Sequence, residues 1–141
     1  MNLDNFNSLV ELFFYQVGKQ NKKNIFLQWL NPNNKKIYTW EETQKNILKL
    51  SKTIKENIKE GDRCLLVSEN RPEWFISDLA IMQSGGIAVP AYTTYTEEDY
   101  RYLIEDCEPS LVIVSNNAML RKLNKTINEK KFIKKVITLD E

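Results

Sequence analysis

Apolar positions along this chain follow two different spacings, and the change from one to the other marks the elements. From residue 62 onward, short apolar runs at residues 64–67, 87–89, 111–114 and 136–139 are separated by stretches with apolar residues three and four apart. A short continuous apolar run bounded by turn residues reads as a buried strand of a parallel sheet. The three-and-four spacing reads as one face of a helix. The first intervening helix carries Pro72 in its first turn, where a missing N–H removes no helical bond. It is apolar on most faces between Trp74 and Met82, so it is expected to be covered on both sides. Gly85 or Gly86 supplies the left-handed residue that stops it. Residues 62–92 therefore form one βαβ unit, with a right-handed crossover expected.

The next helix opens on Thr96-Glu97-Glu98-Asp99 and buries Tyr100, Leu103, Ile104 and Cys107, until Glu108-Pro109-Ser110 breaks it. Asn116 or Asn117 caps the following helix, whose apolar positions are Leu120, Leu123 and Ile127. Upstream, Ser8-Leu9-Val10-Glu11 opens a first helix as a capping box. Its apolar face is Leu9, Leu12, Phe13 and Val17, and Gly18 ends it. Residues 25–30 and 36–39 read as two strands joined by the turn Asn31-Pro32-Asn33-Asn34, a hairpin. Thr39-Trp40-Glu41-Glu42 is a second capping box. It starts an amphipathic helix with Trp40, Thr43, Ile47, Leu50, Ile54 and Ile58 on one face.

The fold class that follows is α/β. A partial doubly wound parallel sheet (β-α-β-α-β-α-β) is preceded by a helix, a β-hairpin and an amphipathic helix. The chain ends directly after a strand, so the expectation is an N-terminal portion of a larger domain.

Composition narrows the function classes by exclusion. Twenty basic and nineteen acidic side chains give a net charge of +1, which gives no support to a nucleic-acid partner. Lys45, Lys49, Lys52 and Lys55 fall largely off the apolar face of their helix and read as solvated. The chain has no histidine, so a histidine base, a Ser-His-Asp triad and histidine metal sites are excluded from it. Cys64 and Cys107 belong to no metal-ligand or CxxC spacing and read as buried thiols. No apolar stretch reaches the length of a transmembrane segment, and the N-terminus lacks a signal-peptide layout. The expected compartment is the cytoplasm.

Little chemistry is visible in the residues themselves. Gly85-Gly86 follows a helix and precedes a strand, whereas a phosphate-binding loop needs its glycines before a helix N-terminus. Glu41-Glu42 and Glu97-Glu98 lie in first turns, where they complement the helix dipole. Two loops leave carboxyl ends of parallel strands, which is where open α/β sheets place ligands. These are residues 68–71, with Arg71 reaching Glu73, Asp78 or an anion, and residues 91–95, polar and aromatic.

Several stretches resemble the AMP-forming acyl-CoA synthetases of the adenylate-forming superfamily, and within them the long-chain fatty acid branch. They are Gly61-Asp62-Arg63, Glu69-Asn70-Arg71-Pro72-Glu73-Trp74 and Gly85-Gly86-Ile87-Ala88-Val89-Pro90. Tyr92 in a turn before an acidic helix start and Tyr38-Thr39-Trp40-Glu41-Glu42 extend the likeness across nearly the whole chain.

The resemblance implies an ATP-dependent ligation. A carboxylic acid attacks the α-phosphate of ATP, with Mg²⁺ assisting, and coenzyme A then displaces AMP to give a thioester. It also implies that residues 1–141 are the N-terminal portion of the large adenylate-forming domain. The phosphate loop, the metal-associated Glu and the late Lys would then lie further along a longer polypeptide. No catalytic residue and no metal ligand is therefore assigned. The turn with Thr93, Thr94 and Tyr95, together with Arg121, is the part the resemblance places near the coenzyme A nucleotide. Lipid substrates would bring peripheral membrane contact, and a homodimer is compatible with the likeness. Two other readings stay open. One is another adenylate-forming ligase, either an aryl-CoA ligase or a carrier-protein-loading adenylation domain. The other is a non-catalytic α/β module that binds a partner through a sheet edge.

Overall fold

The computed structural model describes residues 6–31 and 34–140. In chain order the elements are α1 (Leu9–Lys19), β1 (Ile25–Asn31), β2 (Asn34–Thr39), α2 (Trp40–Lys55), β3 (Arg63–Val67), α3 (Pro72–Gln83), β4 (Ile87–Ala91), α4 (Glu97–Cys107), β5 (Leu111–Val114), α5 (Asn117–Glu129) and β6 (Lys135–Thr138). β1 and β2 pair antiparallel as expected, with an irregularity between Ile25 and Leu27. Pro32 and Asn33 of the expected turn lie outside the described residues.

β3 to β6 form a parallel sheet in the order β4-β3-β5-β6. Because side chains alternate across a strand, the two central strands feed two separate layers. Cys64, Leu66, Leu111 and Ile113 pack with α1, α2 and α3 on one face. Leu65, Val67, Val112 and Val114 pack with α4 and α5 on the other. All eight are fully buried, which is the doubly wound arrangement expected from their unbroken apolar runs.

The outer strands differ from expectation. Residues 87–89 read as a buried strand, but β4 is a sheet edge with Ile87 51% exposed. Strand order decides this, since β3 neighbours both β4 and β5 and leaves β4 one open side. Pro90 fits there because an edge strand tolerates a missing ladder donor.

Local signals set the helix ends with two exceptions. Thr39 and Glu42 form the reciprocal box at α2, and Thr96 and Asp99 form it at α4. Asn116, rather than Asn117, caps α5 by accepting from Ala118 and Met119 N–H. At α1, Ser8 Oγ accepts from Glu11 N–H, but the Glu11 carboxylate accepts from the backbone and side chain of Asn7, not from Ser8. Gly18 does not end α1, which continues to Lys19. The buried face of α1 is also rotated from expectation: Leu9 is 63% exposed, while Val10, Phe13, Phe14 and Val17 face inward. Phe13 makes ring contacts with Phe26, Trp40 and Phe75, and that aromatic cluster draws the helix round.

The stop after α3 uses both glycines. Gly85 has φ +87°, and Gly86 N–H donates to Ile81 carbonyl while Gly85 N–H donates to Met82 carbonyl, a Schellman closure. A Cβ on Gly86 would lie 2.9 Å from Ile58 Cδ1 and 3.3 Å from Cys64 Sγ. Gly85→Ala is expected to cost about 1–2 kcal/mol from left-handed strain. Gly86→Ala is expected to cost about 1–3 kcal/mol from crowding. Thermal unfolding of both variants checks this, and wild-type stability for Gly86→Ala would contradict the close packing.

Candidate functional site

The sheet's order reverses between β3 and β5, and ligands of open α/β sheets sit beyond the carboxyl ends of strands at such a point. Here the chain fills part of that crevice itself. Arg71, four residues after β3, is the N-cap residue of α3, and its side chain is only 2% exposed. Its two terminal nitrogens donate to the two oxygens of Asp140 at 2.6 and 2.7 Å, and its Nε donates to Glu73 at 2.8 Å. The guanidinium lies over the Trp29 ring, 4.8 Å from its centroid. Lys36 Nζ and Tyr38 Oη also donate to Glu73, at 2.8 and 2.9 Å.

Asp140 N–H bonds to Ser115 carbonyl and Ser115 N–H to Val67 carbonyl, so the clamp spans the ends of β3, β5 and β6. Of the partners expected for Arg71, Glu73 is met and Asp78 is not. Asp140, 69 residues away, is the added one. Burial would raise the Glu73 carboxyl, but hydrogen bonds from Arg71 and then Lys36 hold it down at about 2. The Tyr38 phenol is pushed up to about 12, first by burial and then by its bond to Glu73. This is an ion cluster with its charges satisfied, and it holds the hairpin, α3 and the end of β6 together.

The open space lies beside it. A cleft of about 470 Å³ is lined by Ser68, Glu69, Asn70, Trp74, Pro90, Ala91, Tyr92 and Thr93, between the loops that follow β3 and β4. The two loops singled out from the sequence are therefore brought together. Thr93 is on the cleft wall, while Tyr95 lines a second cavity of about 420 Å³ with Glu98, Asp99, Tyr102 and Leu103. Thr94 and Arg121 are exposed, and Arg121 lies on α5. Lys122 was missed: its ammonium donates to Thr93 carbonyl at 3.3 Å and ties α5 to the loop. The neighbouring Arg121 was the nearest signal for it.

Tyr100 holds the loop from below. It is fully buried, and its hydroxyl donates to Tyr92 carbonyl at 2.7 Å. Burial, and then the charge of Glu69, push this phenol up to about 12. Tyr100→Phe is expected to cost about 1–2 kcal/mol and to speed amide exchange at residues 92–95. Unchanged exchange there would show that the bond does not order the loop.

The remaining candidates are structural. Glu42 and Asp99 serve caps. Burial pushes the Cys64 thiol up to about 12, far from a reactive thiolate, and burial raises Cys107 as well. Among the described residues there is no cluster of His, Cys, Asp and Glu able to hold a metal ion, and no helix long and apolar enough to cross a membrane.

Comparison with known proteins assigns this architecture. Residues 13–141 match the model of the AMP-binding enzyme family. A long-chain-fatty-acid–CoA ligase of Xenopus laevis is 34% identical over 68 residues, covering 48% of this chain and 9% of that protein. A long-chain-fatty-acid–CoA ligase of Rattus norvegicus is 27% identical over 88 residues, covering 62% of this chain and 12% of its own length. This chain thus spans about a tenth of the curated relatives it matches. Two solved structures share the fold. An anthranilate CoA ligase in complex with anthranoyl-AMP superposes with TM-score 0.81 and 17% identity, over 98% of this chain and 26% of that one. A fatty acid AMP ligase from Legionella pneumophila gives TM-score 0.72 and 22% identity, over 94% of this chain and 23% of that one.

Proposed function

The chain belongs to the AMP-binding enzyme family, and on that premise we propose that it is the N-terminal portion of the large adenylate-forming domain of an ATP-dependent fatty acid–CoA ligase. The observation that carries this is the family match over residues 13–141, with long-chain-fatty-acid–CoA ligases among its relatives. In this reading the described residues build a scaffold. The two-layer core and the Arg71 cluster fix the carboxyl ends of four parallel strands, and the loop of residues 92–95 is presented there.

The described residues supply neither a glycine-rich phosphate loop before a helix nor a carboxylate cluster for Mg²⁺, so no step of adenylation is assigned to them. Coenzyme A, whose thiol would accept the acyl group, fits the α5 side of the loop best. Exposed Arg121, with Lys122 beside it, offers positive charge to a nucleotide, and Thr93, Thr94 and Tyr95 offer hydroxyl groups.

ATP–pyrophosphate exchange tests the proposal. The polypeptide expressed from the complete reading frame, offered palmitate, octanoate, benzoate and anthranilate, is expected to exchange with the fatty acids and to form a thioester when coenzyme A is added. Residues 1–141 alone are expected to give no exchange. Exchange confined to the aryl acids would transfer the reading to an aryl-CoA ligase. Exchange without thioester formation would remove the coenzyme A step, and exchange by the short chain would overturn the scaffold role.

A further inference from the structure

The cleft between the loops after β3 and β4 shares only Thr93 with the function proposed above, and the rest of its lining has a distinct chemistry. Glu69 and Asn70 are exposed on its rim. Among the described residues, their side chains enter no hydrogen bond or ion pair, and neither does the indole N–H of Trp74. Of the other carboxylates that line cavities, Glu73 is engaged in the Arg71 cluster and Asp99 in the α4 cap. Tyr92 is 72% exposed, although its backbone is fixed through Tyr100 and its ring meets Tyr95 edge-on at 5.6 Å. An exposed ring on an anchored backbone is a preorganised surface. No Lys or Arg lines the cleft.

A free carboxylate beside aromatic rings, with no base to neutralise it, repels anions. It attracts a cation twice over, through Coulomb attraction and through the ring quadrupole. We propose that this cleft binds an organic cation, a guanidinium or ammonium group, held against Trp74 and Tyr92 and paired with Glu69. Its volume of about 470 Å³ suits one small ligand or one long side chain. The same chemistry reaches the site from two sources, a free small amine or a basic side chain of a peptide. The second cavity, across the loop of residues 92–95, is also aromatic and acidic without a base, and its Tyr102 is 71% exposed. A peptide with two cationic side chains engages both cavities, whereas a free amine fills only one.

The test is amide and indole NMR on the 141-residue chain, titrated with agmatine, choline, a tetra-arginine peptide and AMP. Agmatine is expected to shift the Trp74 indole signal and the amides of residues 68–70 and 91–93, leaving Trp29 and Trp40 unmoved. Glu69→Gln and Tyr92→Ala, both at exposed positions, are each expected to weaken binding about fivefold with circular dichroism unchanged. Tetra-arginine binding more than about tenfold tighter, with added shifts at residues 98–103, identifies a peptide source. Equal affinity identifies a free amine. The proposal is overturned if no cation shifts these signals at about 50 mM, if AMP shifts the Trp74 indole as strongly, or if the Glu69 variant binds like wild type.

Discussion

Replacing Arg71 by methionine is expected to lower the unfolding free energy of the chain by about 3–5 kcal/mol. The guanidinium is desolvated, with 2% of its side chain exposed, and three of its nitrogens are committed to Glu73 and Asp140. Methionine fills much of the volume over Trp29 but leaves Glu73, 13% exposed, with Lys36 as its remaining cation. The cost is therefore a carboxylate stripped of its most buried cation rather than a cavity. Asp140→Asn is expected to cost less, about 1 kcal/mol, because Asp140 is 39% exposed and water replaces part of the pairing. Urea unfolding of the two single variants and the double variant separates the shared term. Strict additivity would mean that Arg71 and Asp140 do not act as a pair.

The second large effect is with pH. Glu73 titrates at about 2 in the folded chain against an ordinary value of 4.5, so the unfolded chain binds a proton the folded chain resists. A carboxyl with a lowered folded pKa contributes stability above pH 4.5 and loses it as pH falls toward 2. The shift corresponds to about 3 kcal/mol, and the lowered carboxyl of Asp140 steepens the same limb. Tyr38 acts at the other end. Its pKa is raised to about 12, so its contribution is complete below pH 10 and disappears as pH rises through 12. Unfolding free energy is thus expected to fall on both sides of a broad plateau. Glu73→Gln is expected to flatten the acid limb and Tyr38→Phe the alkaline limb. If Glu73→Gln keeps the wild-type acid slope, Glu73 is not the group that sets it.

Both effects rest in large part on contacts between segments far apart in the chain. Arg71 was noticed for leaving a strand's carboxyl end, and Glu73 was named among its partners because it is two residues away. Asp140 and Lys36 come from elements that meet Arg71 only once the strand order places β6 and the hairpin around α3. The cleft shows the same limit. Thr93 was singled out on one wall, but Glu69 and Trp74 became its counterparts through the pairing of β3 with β4.

Residue order alone determined the alternation of strands and helices, the capping of α2 and α4, and the glycine stop of α3. Each depends on groups within about five positions, where chain connectivity sets the geometry. It also carried the family likeness, which lies in contiguous stretches such as Glu69 to Trp74. Tertiary structure decided which strands are edges, which way α1 turns its aromatic face, and what the loops after β3 and β4 enclose. Those outcomes depend on strand order and on burial shared between distant segments, and both follow from the whole chain packing at once.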